Sequence, residues 1–168
     1  IPTVERTIAT ETGETTVQIP GWQMAHTWNE TTDQKNGTIR RETAFRDPAD
    51  MVLQGPHFHV ANPLYKTPRS RSRTNADYDV IDLATVPEDY LPRTNYGPAL
   101  DRPTYAGRLT TCRWDPTKKH TDFYRVAFRN MIALNSERSL IGAMIPPGLA
   151  HIHKVESVAF VNEVDVLR

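Results

Sequence analysis

The sequence has little cysteine and glycine, no excess of either charge and no long apolar run, and each absence excludes a class of protein. Cys112 is the single cysteine among 168 residues, which excludes an intramolecular disulfide framework and a multi-cysteine zinc site. The 8 glycines form neither GxGxxG nor GxxxxGK[ST], so two common nucleotide-binding motifs are excluded. Lysine and arginine total 20, as do aspartate and glutamate, which excludes a strongly basic or acidic chain. No apolar run approaches the roughly 18 residues of a membrane span.

The length and the proline content predict the domain organisation and the fold class. A chain of 168 residues favours a single domain over 1–168. Because it starts at Ile1 without a methionine and stops at Arg168 just after an apolar stretch, we expect an excised piece of a longer chain. Thirteen prolines against 8 glycines favour extended segments and stiff loops. We therefore expect an α+β fold with a mixed, mostly antiparallel sheet, one principal helix and long proline-rich loops. The lone cysteine is typical of a reducing cytoplasm, where we expect the protein to be located.

Residue alternation and turn signals predict the main elements. Short apolar or alternating segments predict strands at 15–19, 38–45, 53–62, 78–83 and 139–145, with a further apolar segment of uncertain type at 155–161. Asn36-Gly37 is a strong hairpin signal before the return strand 38–45. Apolar residues at Phe123, Ala127, Met131 and Leu134 predict the principal helix over 121–135. Residues 87–116 are punctuated by prolines and predict a long loop.

The charges are separated into blocks, and the basic block is the strongest functional signal. Residues 66–73 carry four bases and no acid, whereas residues 77–89 carry five acids and no base. Hydroxyl and amide side chains between the bases suit contacts with phosphates and with base edges of DNA. A second loop contains Pro92-Arg93-Thr94-Asn95, in which Asn95 could form paired hydrogen bonds with adenine. The alternative is that the bases neutralise the acids within the fold. The predicted DNA-binding residues are Lys66, Arg69, Arg71, Arg73, Asn75, Arg93 and Asn95.

Two His-x-His pairs and one thiol are the other candidates for chemistry. His57/His59 and His151/His153 could each present two imidazoles on one face of a strand, as a metal site requires. Ordinary hydrogen bonding is the favoured interpretation, since the glutamate spacing and the glycines of a cupin-like site are missing. Cys112 has no neighbouring base in the sequence that would activate it as a nucleophile. We therefore assign no catalytic residue and no metal ligand.

Three strings of the sequence resemble parts of large bacterial DNA methyltransferases. They are GPHFHVANPLYKTPR (55–69), DYDVIDLATVPEDYLPRTNY (77–96) and FYRVAFRNMIALNSERSLIGAMIPPGLAH (123–151). The similar proteins are the type IIG restriction–modification enzymes and the related phage-defence methylases, which modify the exocyclic amine of adenine. The F-R-x-M-x-x-x-x-x-E-R-x-L-I passage resembles their C-terminal region, with the resemblance carried by Arg125, Phe128, Arg129, Glu137, Arg138 and 141–147. About 60% of the chain, from about 55 to 155, is covered.

The sequence departs from that family where the family performs catalysis. The signature N-P-P-[YFW] is absent, because Leu64 follows Asn62-Pro63 where the second proline is required. A D-x-x-x-G-x-G cofactor motif is absent too. The resemblance therefore implies a non-catalytic target-recognition domain that binds duplex DNA and needs no cofactor of its own. The parent chain would supply the S-adenosylmethionine-dependent, adenine-specific methyltransferase core, with an endonuclease activity left open.

Two other hypotheses stay open at this point. The chain could be a protein-interaction or assembly module of the same enzyme, docking a partner domain through the acidic stretch 77–89 and the helix 121–135. It could also be a small metal-dependent β-fold enzyme that uses the His-x-His pairs. Duplex DNA and the methyltransferase core of the parent are thus the expected partners, and no membrane contact is expected.

Overall fold

The computed structural model describes residues 2–25, 27–43, 47–58, 66–74, 76–131 and 140–167. The strands are β1 (Thr3–Thr10), β2 (Gly13–Pro20), β3 (Trp22–Met24), β4 (Ile39–Arg41), β5 (Val52–Leu53), β6 (Lys66–Pro68), β7 (Tyr78–Val80), β8 (Tyr96–Pro98), β9 (Arg125–Arg129), β10 (Gly142–Ile145), β11 (Ala150–His151) and β12 (Val155–Phe160). The α-helices are α1 (Thr32–Lys35) and α2 (Arg102–Arg108). Short 3-10 helices lie at Pro48–Asp50, Gly55–His57, His120–Asp122 and Glu163–Leu167.

Two four-stranded sheets form the body of the protein. One has the strand order β10–β9–β12–β3 and is antiparallel throughout. The other has the order β11–β5–β8–β4, in which only the β11–β5 pair is parallel. Along β12, buried residues alternate with half-buried ones, so that one face of the strand points into the core. A buried apolar cluster contains Leu53 of the second sheet together with Ala127 and Val155 of the first, so the core joins the two sheets.

The predicted fold class is confirmed, but the predicted position of the principal helix is wrong. The segment predicted as a helix over 121–135 contains β9 instead, paired with both β10 and β12. The apolar spacing of four between Phe123, Ala127 and Met131 is even, so it fits one face of a strand as well as one face of a helix. Residues 132–135 lie outside the described residues.

Helix α2, the longer α-helix among the described residues, lies instead inside the segment predicted as a loop. Helix α2 begins after Asp101, whose side-chain oxygen accepts a hydrogen bond from the Thr104 N–H at 3.0 Å. Pro103 occupies its first turn, where the missing N–H costs no hydrogen bond. One proline of the segment 87–116 therefore lies at the start of a helix. Because the segment also contains strand β8, it is not a continuous loop.

Most of the predicted strands are confirmed, at least in part. Strand β2 contains the segment 15–19, β7 begins the segment 78–83, and β12 occupies most of 155–161. In 139–145 the strand is Gly142–Ile145. Of the segment 53–62, only Leu53 lies in a strand, and residues 59–62 are outside the described part of the chain.

The hairpin predicted at Asn36-Gly37 does not form. Gly37 has a φ of +64°, the left-handed conformation that glycine adopts easily, and it ends the turn that follows α1. The strand after it, β4, pairs with β8 and not with a preceding strand. Within the described residues, no helix is long and apolar enough to cross a membrane.

Candidate nucleic-acid interface

The predicted basic segment forms the turn of a small hairpin. Strands β6 and β7 pair antiparallel, and residues 69–77 connect them. A carboxylate oxygen of Asp77 accepts the backbone N–H groups of Arg73 and Thr74 at 3.0 and 2.9 Å. These two hydrogen bonds stabilise the charged form and hold the pKa of Asp77 below its usual value. One member of the acidic stretch therefore shapes the basic turn through its backbone.

A second acid forms ion pairs with two of the predicted DNA-binding arginines. Asp79 on β7 lies 3.0 Å from Nε of Arg69 and 3.1 Å from Nη2 of Arg93. All three side chains are 40% or more exposed, so water screens the attraction and each pair adds little stability. Two of the predicted DNA-binding bases thus pair with an acid within the fold, which is what the alternative hypothesis expects of them.

Asn95 belongs to a polar network inside the protein. Its Nδ2 donates to Oε1 of Gln54 at 2.7 Å and to the hydroxyl of Tyr78 at 2.9 Å, while that hydroxyl donates to Gln54 at 3.0 Å. Burial raises the pKa of Tyr78 to about 12, so the phenol stays protonated and remains a donor at neutral pH. A paired contact between Asn95 and adenine would require its amide to leave these two oxygens.

Two adjoining cavities, each of about 280 Å³, are lined in common by Arg41, Ser72, Arg73 and Asn95. The first cavity also has Arg129 and Lys154 in its wall, and the second has Arg71. We refer to the continuous depression as the cationic groove. Its basic residues are Arg41, Arg71, Arg73, Arg129 and Lys154. Its acidic residues are Glu30 and Glu42.

The bases of the cationic groove differ in whether another side chain of the protein contacts their charged group. Lys154 forms an ion pair with Glu30 at 3.2 Å. The guanidinium of Arg41 lies 5.6 Å from the ring centroid of Tyr96, a cation–π distance, and no carboxylate of the described residues forms an ion pair with it. Arg71 and Arg73 are exposed and form no ion pair with any described residue. An anion entering the groove therefore meets several guanidinium groups without carboxylate partners.

Three of the five groove bases were not predicted from the sequence. Arg41 ends β4, Arg129 ends β9 and Lys154 precedes β12, so they come from distant parts of the chain. None of them lies in an acid-free run, which was the signal that identified 66–73. Arg129 belongs to the string that resembles the methyltransferases, and that was the single sequence signal for any of the three.

The remaining predicted DNA-binding residues lie away from the groove or outside the described residues. Lys66 is half-buried on β6 and lines neither of the two cavities. Asn75 falls on a position that the structure does not describe. The structure thus brings Arg71, Arg73 and Asn95 to one groove, and places Arg69 and Arg93 together at Asp79.

One histidine of each pair, His57 and His151, forms buried hydrogen bonds. The Gln54 N–H donates to Nδ1 of His57 at 3.0 Å, so Nε2 carries the proton and donates to the Arg93 carbonyl at 3.1 Å. Burial lowers the pKa of His57 and keeps it neutral. His151 lies 2.7 Å from the Ser157 hydroxyl through its Nε2, and His59 is not described. Among the residues that the structure describes, no three His, Cys, Asp or Glu side chains are grouped to hold a metal ion.

Arg125, one of the residues in the resemblance, is fully buried. Its Nη1 donates to the Ser157 hydroxyl at 3.2 Å and its Nη2 to the Leu149 carbonyl. No carboxylate in the described ranges forms an ion pair with it, and burial lowers its pKa to about 10. Because it is fully buried and donates to Ser157 and Leu149, this arginine has a structural role in the core and is not exposed to a ligand in the groove.

Comparison of the chain with protein-family models, with curated proteins and with solved structures gave no match. The resemblance to adenine-specific methyltransferases therefore rests on the three strings quoted above. The cationic groove, in contrast, is a property of the fold and stands independently of that resemblance.

Proposed function

We propose that this chain is a non-catalytic DNA target-recognition domain that binds the phosphate backbone of duplex DNA in the cationic groove. The observation that carries the proposal is the convergence of five bases from separate segments on one groove that contains two acids. Building such a groove brings like charges together, which costs stability unless an anionic ligand binds there. The resemblance supports the wider proposal that the parent is a restriction–modification or phage-defence adenine methyltransferase.

Phosphate binding suits this groove better than base recognition does. Guanidinium groups form paired hydrogen bonds with phosphate oxygens, and four of the five bases are arginines. Ser72 lies between Arg71 and Arg73 in the chain, lines both cavities and adds a hydroxyl donor. Asn95, the predicted adenine reader, is held in the network with Gln54 and Tyr78. Sequence discrimination would then come from residues beyond the groove or from the parent's other domains.

The assembly hypothesis is less well supported by the fold. It depended in part on an apolar helix over 121–135, and residues 125–129 form a strand that is paired on both edges. The metal-enzyme hypothesis needs a group of ligands, whereas His57 and His151 are engaged in buried hydrogen bonds. The chemistry of the parent, including use of S-adenosylmethionine, would take place in its methyltransferase core and not in this chain.

The salt dependence of DNA binding tests the proposal. Four bases of the groove form no ion pair with a described residue, so about four phosphate contacts predict a slope near −3.6 in a plot of log K against log salt. Affinity should then fall roughly 150-fold between 50 and 200 mM salt. Fluorescence anisotropy with a labelled duplex measures the affinity at each salt concentration. A slope near zero would refute phosphate binding by the groove.

A pair of matched variants shows whether the groove itself is the binding surface. Arg73→Ala removes one groove charge and should lower the salt slope by about 0.9. Arg102→Ala is the control, because it removes one exposed arginine that lies outside the groove and pairs with Asp47 and Asp50. If both variants lose the same affinity and slope, net charge rather than the groove determines binding. Arg73→Lys should retain most of the slope, since the charge is kept.

A further inference from the structure

Strands β1 and β2 form a ribbon with two open edges. All eight residues of each strand are paired with the other strand, from Thr3↔Pro20 to Thr10↔Gly13. Within the described part of the chain, neither strand pairs with a third strand. At the base of the ribbon the Gly21 N–H donates to the Pro2 carbonyl, and the Arg6 side chain donates to the Arg113 carbonyl of the body. Long open edges of this kind favour pairing with another strand.

The ribbon has a polar face and a more apolar face, and the apolar face also carries Arg6. The register places Val4 opposite Ile19 and Arg6 opposite Val17, so the larger apolar side chains share a face. Ile8 extends this face towards the tip, where it is 38% exposed. A ribbon of two strands buries too little apolar surface to be stable alone, whereas a sheet of three or more strands with an apolar face can be. Additional strands would therefore stabilise it.

The geometry of the turn identifies which backbone groups are available on β2. Thr10 and Gly13 flank a two-residue turn, so they form a hydrogen-bonded pair of the antiparallel ladder. Backbone groups alternate in direction along a strand, and those of Glu14, Thr16 and Gln18 therefore point away from β1. Pro20, which has no N–H, ends this outer edge.

We propose that two copies of this chain associate by antiparallel pairing of their β2 strands about a two-fold axis at Thr16. In this register Glu14 of each copy faces Gln18 of the other, so the single charge on the strand meets an amide and never a like charge. The apolar faces of the two ribbons become continuous, because Val17 and Ile19 stay on one side of the four-stranded sheet. Pairing of the two β1 strands about Thr7 would instead place the charged Arg6 of each copy directly opposite Ile8 of the other.

The association is tested with proline variants at two directly opposed positions. Thr16→Pro removes an N–H from the outer edge of β2, and Thr7→Pro removes one from the outer edge of β1. Proline is tolerated where the N–H faces solvent, so the ribbon should survive both changes. Sedimentation equilibrium should show concentration-dependent dimers of the unchanged chain. Thr16→Pro loses two symmetric hydrogen bonds per dimer and should weaken association roughly thirtyfold, while Thr7→Pro should change it less than about twofold. A monomer up to about 0.5 mM, the range of weak small interfaces, overturns the proposal.

Cross-linking provides a second measurement that does not depend on proline. Thr16 of the two copies would face each other with Cα atoms about 5.5 Å apart, within the range of a disulfide. Thr16→Cys should therefore form a covalent dimer under mild oxidation, and Thr7→Cys is the control. Both positions are exposed, and the native Cys112 is buried and does not compete. Equal cross-linking at positions 7 and 16, or none at 16, would overturn the assignment to the β2 edge.

Discussion

Replacing Asn95 with alanine separates a structural role of this residue from a role in reading DNA. The change removes two hydrogen bonds, one to Oε1 of Gln54 at 2.7 Å and one to the Tyr78 hydroxyl at 2.9 Å. The remaining hydrogen bond from Tyr78 to Gln54, at 3.0 Å, leaves neither buried group unsatisfied. At about 0.5–1.5 kcal/mol for each hydrogen bond, and with no orphaned partner, the free energy of unfolding should fall by about 1–2 kcal/mol.

Urea denaturation followed by circular dichroism measures this loss, and anisotropy measures DNA affinity under conditions where the variant is folded. For a chain of this size the loss corresponds to a fall in Tm of roughly 3–7 °C. We expect the DNA affinity of Asn95→Ala to stay within about twofold of the unchanged chain. A tenfold loss of affinity with an unchanged unfolding free energy would refute the structural assignment and establish Asn95 as a reader of adenine.

The isosteric variant Asn95→Asp provides a sharper comparison. It places a carboxylate against Oε1 of Gln54, so an acceptor faces an acceptor where a hydrogen bond of 2.7 Å existed. Near neutral pH this variant should be less stable than Asn95→Ala. Because the new carboxyl would have a raised pKa in the folded state, its stabilising contribution is present at low pH and lost as the pH rises. The difference between the two variants should therefore shrink towards pH 4.

Three other predictions follow from buried or paired ionisable groups. Burial raises the pKa of Cys112 from 9.0 to about 11, so the unchanged chain should lose roughly 2–3 kcal/mol between pH 9 and 11 relative to Cys112→Ala; coincident alkaline denaturation curves would contradict this. Burial lowers the pKa of His57, so its contribution to stability is complete above pH 6.5 and is lost below it. His57→Phe should remove a slope of up to about 1.4 kcal/mol per pH unit between pH 6.5 and 5, measured by urea denaturation. Asp79→Asn should cost at most about 2 kcal/mol of stability and raise DNA affinity, because it frees Arg69 and Arg93; unchanged affinity would place both arginines away from DNA.

Local patterns in the sequence were enough to predict the general fold class and about half of the strands that the structure describes. Alternation in 15–19 and 78–83 reports which side chains share a face, and that property belongs to neighbouring residues. Apolar spacing was also the reason for the wrong prediction of a helix over 121–135. A spacing of four residues fits both the 3.6-residue period of a helix and the two-residue period of a strand. What decided between them was the pairing of β9 with two strands that follow it in the chain.

The candidate site, too, was predictable from the sequence only in part. The sequence by itself determined that bases are concentrated in 66–73 and acids in 77–89, because such runs are a local property of the chain. Tertiary structure alone decided that Arg69 and Arg93 share Asp79, that Asn95 joins Gln54 and Tyr78, and that Arg41, Arg129 and Lys154 complete a groove. The physical reason is that side-chain charge and hydrogen-bonding capacity are fixed residue by residue. Which of them come within reach of each other depends on how distant strands bury their apolar faces together.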